Sequence, residues 1–233
     1  MRNSRFTFKQ FAVEQSGAAM KIGTDGVLLG AWVDVAGANR VLDIGTGTGV
    51  IALMMAQRGD AQRVVGVDIE QGAVECAGAN FAASPWSERL SVVKSSVQDF
   101  EDEKFDLIVS NPPYFSDSLL CPDALRTTAR HTTSLTLEQL DVSVCRLLEK
   151  TGRFALILPT EQMERYLSLT QLQLVRRCDV RSRSFTEAIR TMAELSFGRC
   201  ESVAYESLTI YEDEGREYSS QYRELTKDFY LKF

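Results

Sequence analysis

Of the 233 residues, 44% are hydrophobic and 25% charged, which supplies a sizeable core and excludes disordered, collagen-like and fibrous chains. The length suits one large domain, since domains usually run to ~100–200 residues, and a net charge of −6 argues against indiscriminate coating of nucleic acid. Five cysteines at 76, 121, 145, 178 and 200, none in a CxxC pair, fit reduced thiols in a cytoplasm, and a single histidine, His131, excludes a His-rich metal site.

Residues 1–9 are basic but lead into no signal-peptide hydrophobic stretch, and no apolar run reaches the ~18 residues that cross a bilayer. A soluble, cytoplasmic monomer without a membrane partner is expected. Phe6, Phe8 and Phe11 read as core packing, and Thr24–Trp32 as an amphipathic helix with Thr24 as its N-cap. From residue 40 onward, short β-branched or aliphatic runs alternate with stretches of helical spacing. Strands are predicted at 40–45, 63–68, 90–95, 105–110 and 154–158, and helices at 50–58, 71–81 and 137–150. This βαβ alternation predicts an open, mostly parallel sheet with helices on both faces and a ligand site beyond the carboxyl ends of its strands. Residues 172–183 and 192–211 read as two long strands, an antiparallel hairpin on the sheet edge.

The first chemical signal joins the first of these strands to the following helix: Asp43-Ile-Gly45-Thr-Gly47-Thr-Gly49. Glycines at such a junction let a ligand approach the backbone closely. Dinucleotide enzymes use GxGxxG, whereas D-x-G-x-G-x-G resembles the first motif of Rossmann-like S-adenosylmethionine methyltransferases. Asp68 ends the next strand, 25 residues after Asp43. An ionised carboxylate there can accept from both ribose hydroxyls; the other reading is a helix N-cap before Ile69. Further on, Asp99 can accept from the adenine amino group of the cofactor while Phe100 or Ile69 packs on the ring, or Asp99 is a plain loop acid.

Asn111-Pro-Pro-Tyr114 follows the buried run at 105–110 directly. As structure alone it is a rigid turn, because proline fixes φ and stops a sheet, yet that reading leaves Asn111 and Tyr114 unexplained. The motif resembles the one found in class I methyltransferases that modify planar nitrogens: adenine N6, guanine N2 and the glutamine side-chain amide. Such an amine is a poor nucleophile, because its lone pair is delocalised. The Asn111 side-chain oxygen and the Pro112 carbonyl can each accept one N–H bond, which returns density to nitrogen and aims it at a sulfonium methyl. Tyr114 can stack on the substrate plane.

Flanking segments narrow the likeness. Phe6-Thr-Phe-Lys-Gln-Phe11, the run from Met20 through Gly23-Thr-Asp-Gly to Trp32, Ala129-Arg-His131-Thr-Thr-Ser-Leu135 and the closing Asp228-Phe-Tyr-Leu-Lys232 together resemble the bacterial tRNA1(Val) (adenine-N6)-methyltransferase family over essentially the full length. The resemblance implies an α/β, Rossmann-like class I methyltransferase fold with a mostly parallel seven-stranded sheet and a C-terminal antiparallel hairpin. A short N-terminal extension and helix (residues 1–39) would precede the catalytic core (40–233). It further implies S-adenosylmethionine as cofactor and, as substrate, a flipped-out tRNA adenine just 3′ of the anticodon. Asn111, Pro112 and Tyr114 are the candidate catalytic residues. The candidate cofactor contacts are Lys21, Thr24, Asp25, Asp43, Gly45, Gly47, Gly49, Asp68, Ile69, Asp99, Phe100 and Asn111, the first three placed at the methionine end by the family likeness alone. Pro113, Phe115, Arg130, His131, Arg177, Arg181 and Arg183 are candidate substrate contacts, and no metal ligand is assigned. An N2-guanine rRNA or protein-glutamine methyltransferase shares the NPPY motif. A cofactor-binding module without catalysis is a further alternative, against which the intact Asn111 and Tyr114 argue.

Residues 1–21 carry four basic and one acidic side chain and residues 150–200 nine and five, so the remainder holds −13. In a strand, Arg177, Arg181 and Arg183 would share one face, with Arg176 on the other. There they could meet RNA phosphates together with Arg2, Arg5 and Lys9; the alternative is an ordinary solvated face. His131 reads equally as a surface residue or a substrate contact. Without a GxSxG it does not belong to a serine-hydrolase triad.

Overall fold

The computed structural model describes residues 5–16, 21–113, 135–198 and 200–233. A small antiparallel hairpin, β1 (Arg5–Thr7) and β2 (Ala12–Glu14), leads to α1 (Thr24–Trp32). Then follow β3 (Arg40–Ile44), α2 (Val50–Arg58), β4 (Arg63–Asp68), α3 (Gln71–Ala82), β5 (Leu90–Lys94) and β6 (Phe105–Ser110). After these come α4 (Leu137–Leu147), β7 (Leu148–Pro159), α5 (Thr160–Leu169), β8 (Gln173–Arg181), β9 (Ala188–Ser196), β10 (Ala204–Thr209) and α6 (Ser220–Thr226). Read from one edge, the main sheet is ordered β5-β4-β3-β6-β7-β9-β8-β10. Every neighbouring pair is parallel except those made by β9, which runs against both β7 and β8.

The strand order reverses between β3 and β6, and that is where the sheet opens a crevice beyond its carboxyl ends. Both faces of the central strands are covered, which explains their apolar runs. On one face lie α1, α2 and the N-terminal aromatics, with Val27, Leu28, Leu53 and Met54 fully buried; on the other lie α4 and α5, with Leu140, Val144, Met163 and Tyr166 fully buried. Phe8 stacks on Phe11 at 4.6 Å and on Tyr230 at 5.9 Å, while Lys9 Nζ donates to the carbonyls of Lys227 (2.6 Å) and Phe233 (2.7 Å). These contacts clasp the N-terminal hairpin to the C-terminal tail, and burying Phe8 alone is worth ~2–3 kcal/mol.

Four expectations change. The described sheet has eight strands, not seven: the run 192–211 is interrupted and forms two strands, β9 inserted beside β7 and β10 at the edge. Helix α1 is not amphipathic, because residues from Gly26 to Trp32 are all buried under α2, α6 and the sheet, and its N-cap is Gly23 instead of Thr24. Helix α4 stops at Leu147, and the next residue already pairs with Phe105 of β6. Helix α5, which the sequence reading passed over, buries Met163 and Tyr166.

Candidate active site

A cleft of about 720 Å³ lies at the strand-order reversal. Its walls come from residues 21–23 and Gly26, the loop 45–48 after β3, residues 68–70 after β4, 95–99 after β5, and 111–113 after β6. Leu135 and Gln139 close one side. The volume falls in the range of small-molecule sites.

The glycine loop is built for close approach. Gly45 and Gly47 hold φ of 71° and 55°, a left-handed conformation that side chains rarely adopt, and a Cβ on either would point into open space with no protein side chain against it. Gly49, at 81°, serves another purpose: it caps α2, and a Cβ there would collide with the Phe81 ring. It does not line the cleft.

Asp68 reaches the cleft with its carboxylate already oriented. Its Oδ2 accepts from the Gly47 N–H and its Oδ1 from the Glu70 N–H, each at 2.9 Å. Each oxygen keeps a lone pair for a ligand. The N-cap of α3 is Glu70, so Asp68 fills an Asx turn beside the cleft. Asp68→Ala is expected to weaken binding of S-adenosylmethionine by ~1.5–3 kcal/mol, the range for hydrogen bonds to a charged group, and calorimetry returning an unchanged affinity would remove Asp68 from the site.

Asp43 lies beneath the loop. It is fully buried; its Oδ2 accepts from Thr46 Oγ1 (2.7 Å) and from the Ala52 N–H (3.2 Å), and its Oδ1 has no partner among the described residues. Burial pushes its pKa up to about 7 against those two hydrogen bonds. Its place is to hold the loop from below, out of reach of the cleft. Asp99 does face the cleft, with Ser96 Oγ donating to it at 2.7 Å. Of the two apolar candidates, Ile69 lines the cleft and is half exposed, whereas Phe100 is buried in the core, its ring stacked on Phe105 at 6.3 Å.

Asn111 stands at the end of β6, where Ser110 Oγ donates to the Ile44 carbonyl at 3.0 Å and ties β6 to β3. Behind it is the first turn of α1: a Cβ on Gly26 would lie 3.7 Å from Asn111 Nδ2. Pro112 is buried, Pro113 exposed, and both line the cleft beside Asn111. A glycine loop with open backbone, an oriented carboxylate and an Asn-Pro-Pro corner therefore share one cavity.

Comparisons with known proteins agree. A family model described as the methyltransferase small domain matches residues 16–158. A tRNA1(Val) (adenine(37)-N6)-methyltransferase of Bacteroides thetaiotaomicron is 45% identical over 237 residues, covering 99% of both chains. One of Phocaeicola vulgatus is 46% identical over 235 residues, again with 99% of each covered. The chain belongs to the tRNA1(Val) (adenine(37)-N6)-methyltransferase family. Among solved structures, a predicted O-methyltransferase from Agrobacterium tumefaciens superposes with a TM-score of 0.68 at 17% identity, covering 88% of this chain and 96% of that one. A glycopeptide N-methyltransferase solved with S-adenosylmethionine gives 0.54 at 13%, covering 77% and 97%. At these identities the likeness is one of fold.

In this member of the tRNA1(Val) methyltransferase family, the remaining candidates separate. Lys21 lines the cleft; Thr24 is exposed outside it; Asp25 pairs instead with Arg190 Nε at 2.9 Å. That ion pair fixes the α1 turn that backs Asn111. Tyr114, Phe115, Arg130 and His131 lie outside the described residues. Arg176 and Arg177 do take opposite faces of β8, but neither offers a free cation. Arg176 covers the Trp32 ring at 3.9 Å and donates to the Trp32 carbonyl, and Arg177 binds Glu164 (2.7 Å) and Asp179 (2.9 Å). The Arg183 guanidinium donates to the carbonyls of Glu212 and Gly215, and Arg181 is half-buried. Much of the basic stretch is thus engaged by the protein's own acceptors, as are Arg5 by Glu14 and Lys9 by the C-terminal carbonyls. The cleft residues passed over in the sequence include Ser96 and Gln139; the signal for Gln139 was its capping box with Thr136 at the start of α4.

Proposed function

We propose that this chain transfers a methyl group from S-adenosylmethionine to N6 of adenine 37 in tRNA1(Val), the activity stated in the names of its full-length relatives. The observation that carries the reading is Asn111-Pro112-Pro113 opening on the same cleft as Asp68 and the glycine loop. The donor set fits the cofactor. Asp68 can accept from a ribose diol and Asp99 from an adenine amino group with Ile69 beside it, and the open backbone at Gly45 and Gly47 supports a fit to the methionyl part.

Bound there, S-adenosylmethionine supplies an electrophilic methyl on a sulfonium. The chain's own residues supply position and polarisation. Asn111 Oδ1 and the Pro112 carbonyl can each accept one of the two N–H bonds of the target amine, and proline at 112 and 113 brings no competing N–H. No strong protein base is required, since the methylated amine is acidic enough to pass its proton to water. A base in an anticodon loop is already partly unstacked, so drawing it into the cleft costs less than from a duplex. Such an enzyme works where tRNA is processed, in the cytoplasm.

The test is incubation with labelled S-adenosylmethionine and unmodified tRNA, followed by nucleoside analysis. N6-methyladenosine at position 37 of tRNA1(Val) is the expected product. Label on guanosine N2 or on a protein glutamine, with none on tRNA adenosine, would overturn the reading.

A further inference from the structure

The turn joining β8 to β9, residues 182–187, lies at the carboxyl end of the sheet, on the side of the cleft. Arg190, at the start of β9, pairs with Pro159 at the end of β7 and holds Asp25 of the α1 turn behind Asn111. The turn is tightly pinned. Ser184 donates to Asp213 through both its N–H (3.0 Å) and its Oγ (2.7 Å), Arg183 N donates to Thr186 Oγ1 (3.1 Å), and the Arg183 guanidinium holds the Gly215 carbonyl (2.8 Å). At the tip of this fixed backbone stands Phe185, 73% exposed, with Ile189 half exposed nearby. Among the described residues the Phe185 ring stacks on no other aromatic.

A lone exposed apolar side chain is ordinary. Phe185 differs because its backbone is held by partners on both flanks and its ring is offered at the side of the sheet where the substrate must arrive. A preorganised aromatic loses little conformational freedom when a flat partner settles on it. Resting on the methyltransferase reading above, we propose that Phe185 is a stacking platform for an unpaired nucleobase of the tRNA loop that flanks the target adenine. Stacking of bases on aromatic side chains is sequence-tolerant, because every base has a π face. The turn and the loop that pins it expose Glu187, Glu212, Asp213, Glu214 and Glu217 against Arg216, with Arg183 held by the Glu212 and Gly215 carbonyls, and this acidic balance disfavours phosphate there, so the contact is made by the ring and not by charge.

The experiment compares the full chain with Phe185→Ala and Phe185→Trp in steady-state transfer to tRNA, with calorimetric binding of S-adenosylmethionine as the check on folding. Phe185→Ala should raise KM for tRNA by roughly tenfold, leave kcat and cofactor affinity within about twofold, and leave the slope of log affinity against log salt unchanged, since no counterion is released by a stacking contact. Phe185→Trp should restore KM. An unchanged KM in Phe185→Ala, a tryptophan variant as impaired as the alanine one, or a wild-type dimer that Phe185→Ala dissolves would overturn the platform while the methyltransferase reading stands. No transfer to tRNA by the wild-type chain would overturn both.

Discussion

Asn111→Ala is expected to lower the rate of methyl transfer by ~100-fold or more while leaving affinity for S-adenosylmethionine within a few-fold, as loss of one preorganised polar partner typically does. The backbone at this corner has supports other than the Asn111 side chain. Ser110 ties β6 to β3 through the Ile44 carbonyl, and two prolines fix the turn that follows. Removing the side-chain amide therefore takes away one of two acceptors for the target amine and leaves the Pro112 carbonyl in place. Single-turnover transfer measured beside calorimetric binding separates the two quantities. Equal losses in both would show that Asn111 only braces the α1 turn that packs against it.

The second large effect concerns pH and belongs to Asp43. Its carboxyl is fully buried, and desolvation raises its pKa to about 7, with Thr46 and the Ala52 N–H pulling the other way. The folded protein therefore keeps a proton that the unfolded chain releases near the ordinary aspartate value. Between about pH 4 and pH 7 the native state binds more protons than the unfolded state, so this group makes stability fall as pH rises through that window. From 3.8 to about 7 the loss amounts to about 4 kcal/mol at 1.36 kcal/mol per pH unit. Asp102, paired with Arg63 and Arg40, works in the opposite sense because its pKa is lowered, so the wild-type curve alone does not isolate Asp43. Asp43→Asn keeps an acceptor for Thr46 and Ala52 but cannot ionise. Urea unfolding at pH 5 and pH 8 should show that the variant loses about 2.5 kcal/mol less than the wild type across that interval, since about two pH units of it lie below the folded pKa of about 7. Parallel curves would mean that Asp43 titrates as an exposed carboxylate does.

How much of this was legible beforehand follows from the range of the forces involved. Helix α2 and strands β4 and β6 fall where the sequence placed them, because each is bounded by local signals: glycine at 49 and 59, aspartate at 68, the prolines after 111. Asp68, the glycine loop and Asn111 were legible for the same reason, since each sits at or immediately after the end of a strand that its own residues define. Phe100 and Asp43 were not. Both adjoin cleft-facing residues in the sequence, and only packing shows that Phe100 turns into the core against Phe105 and that Asp43 points beneath the loop.

The basic stretch illustrates the same division. Composition revealed an excess of positive charge in residues 150–200, and strand alternation correctly set Arg176 and Arg177 on opposite faces. Which acceptors those side chains would find depended on Trp32, Glu164 and the 212–215 loop, all distant in the chain. Likewise, the apolar spacing of 137–150 continues a helix past Leu147, yet the chain enters β7 there because Leu148 pairs with Phe105. The insertion of β9 between β7 and β8 is a matter of non-local hydrogen bonding that no window of sequence contains. The sequence by itself determined the strand-loop-helix units and the chemistry at their ends, because turn preferences and burial patterns act over a few residues. Tertiary structure decided which of those groups face the cleft and which charges remain available, because burial and ion pairing depend on neighbours that only the folded sheet brings together.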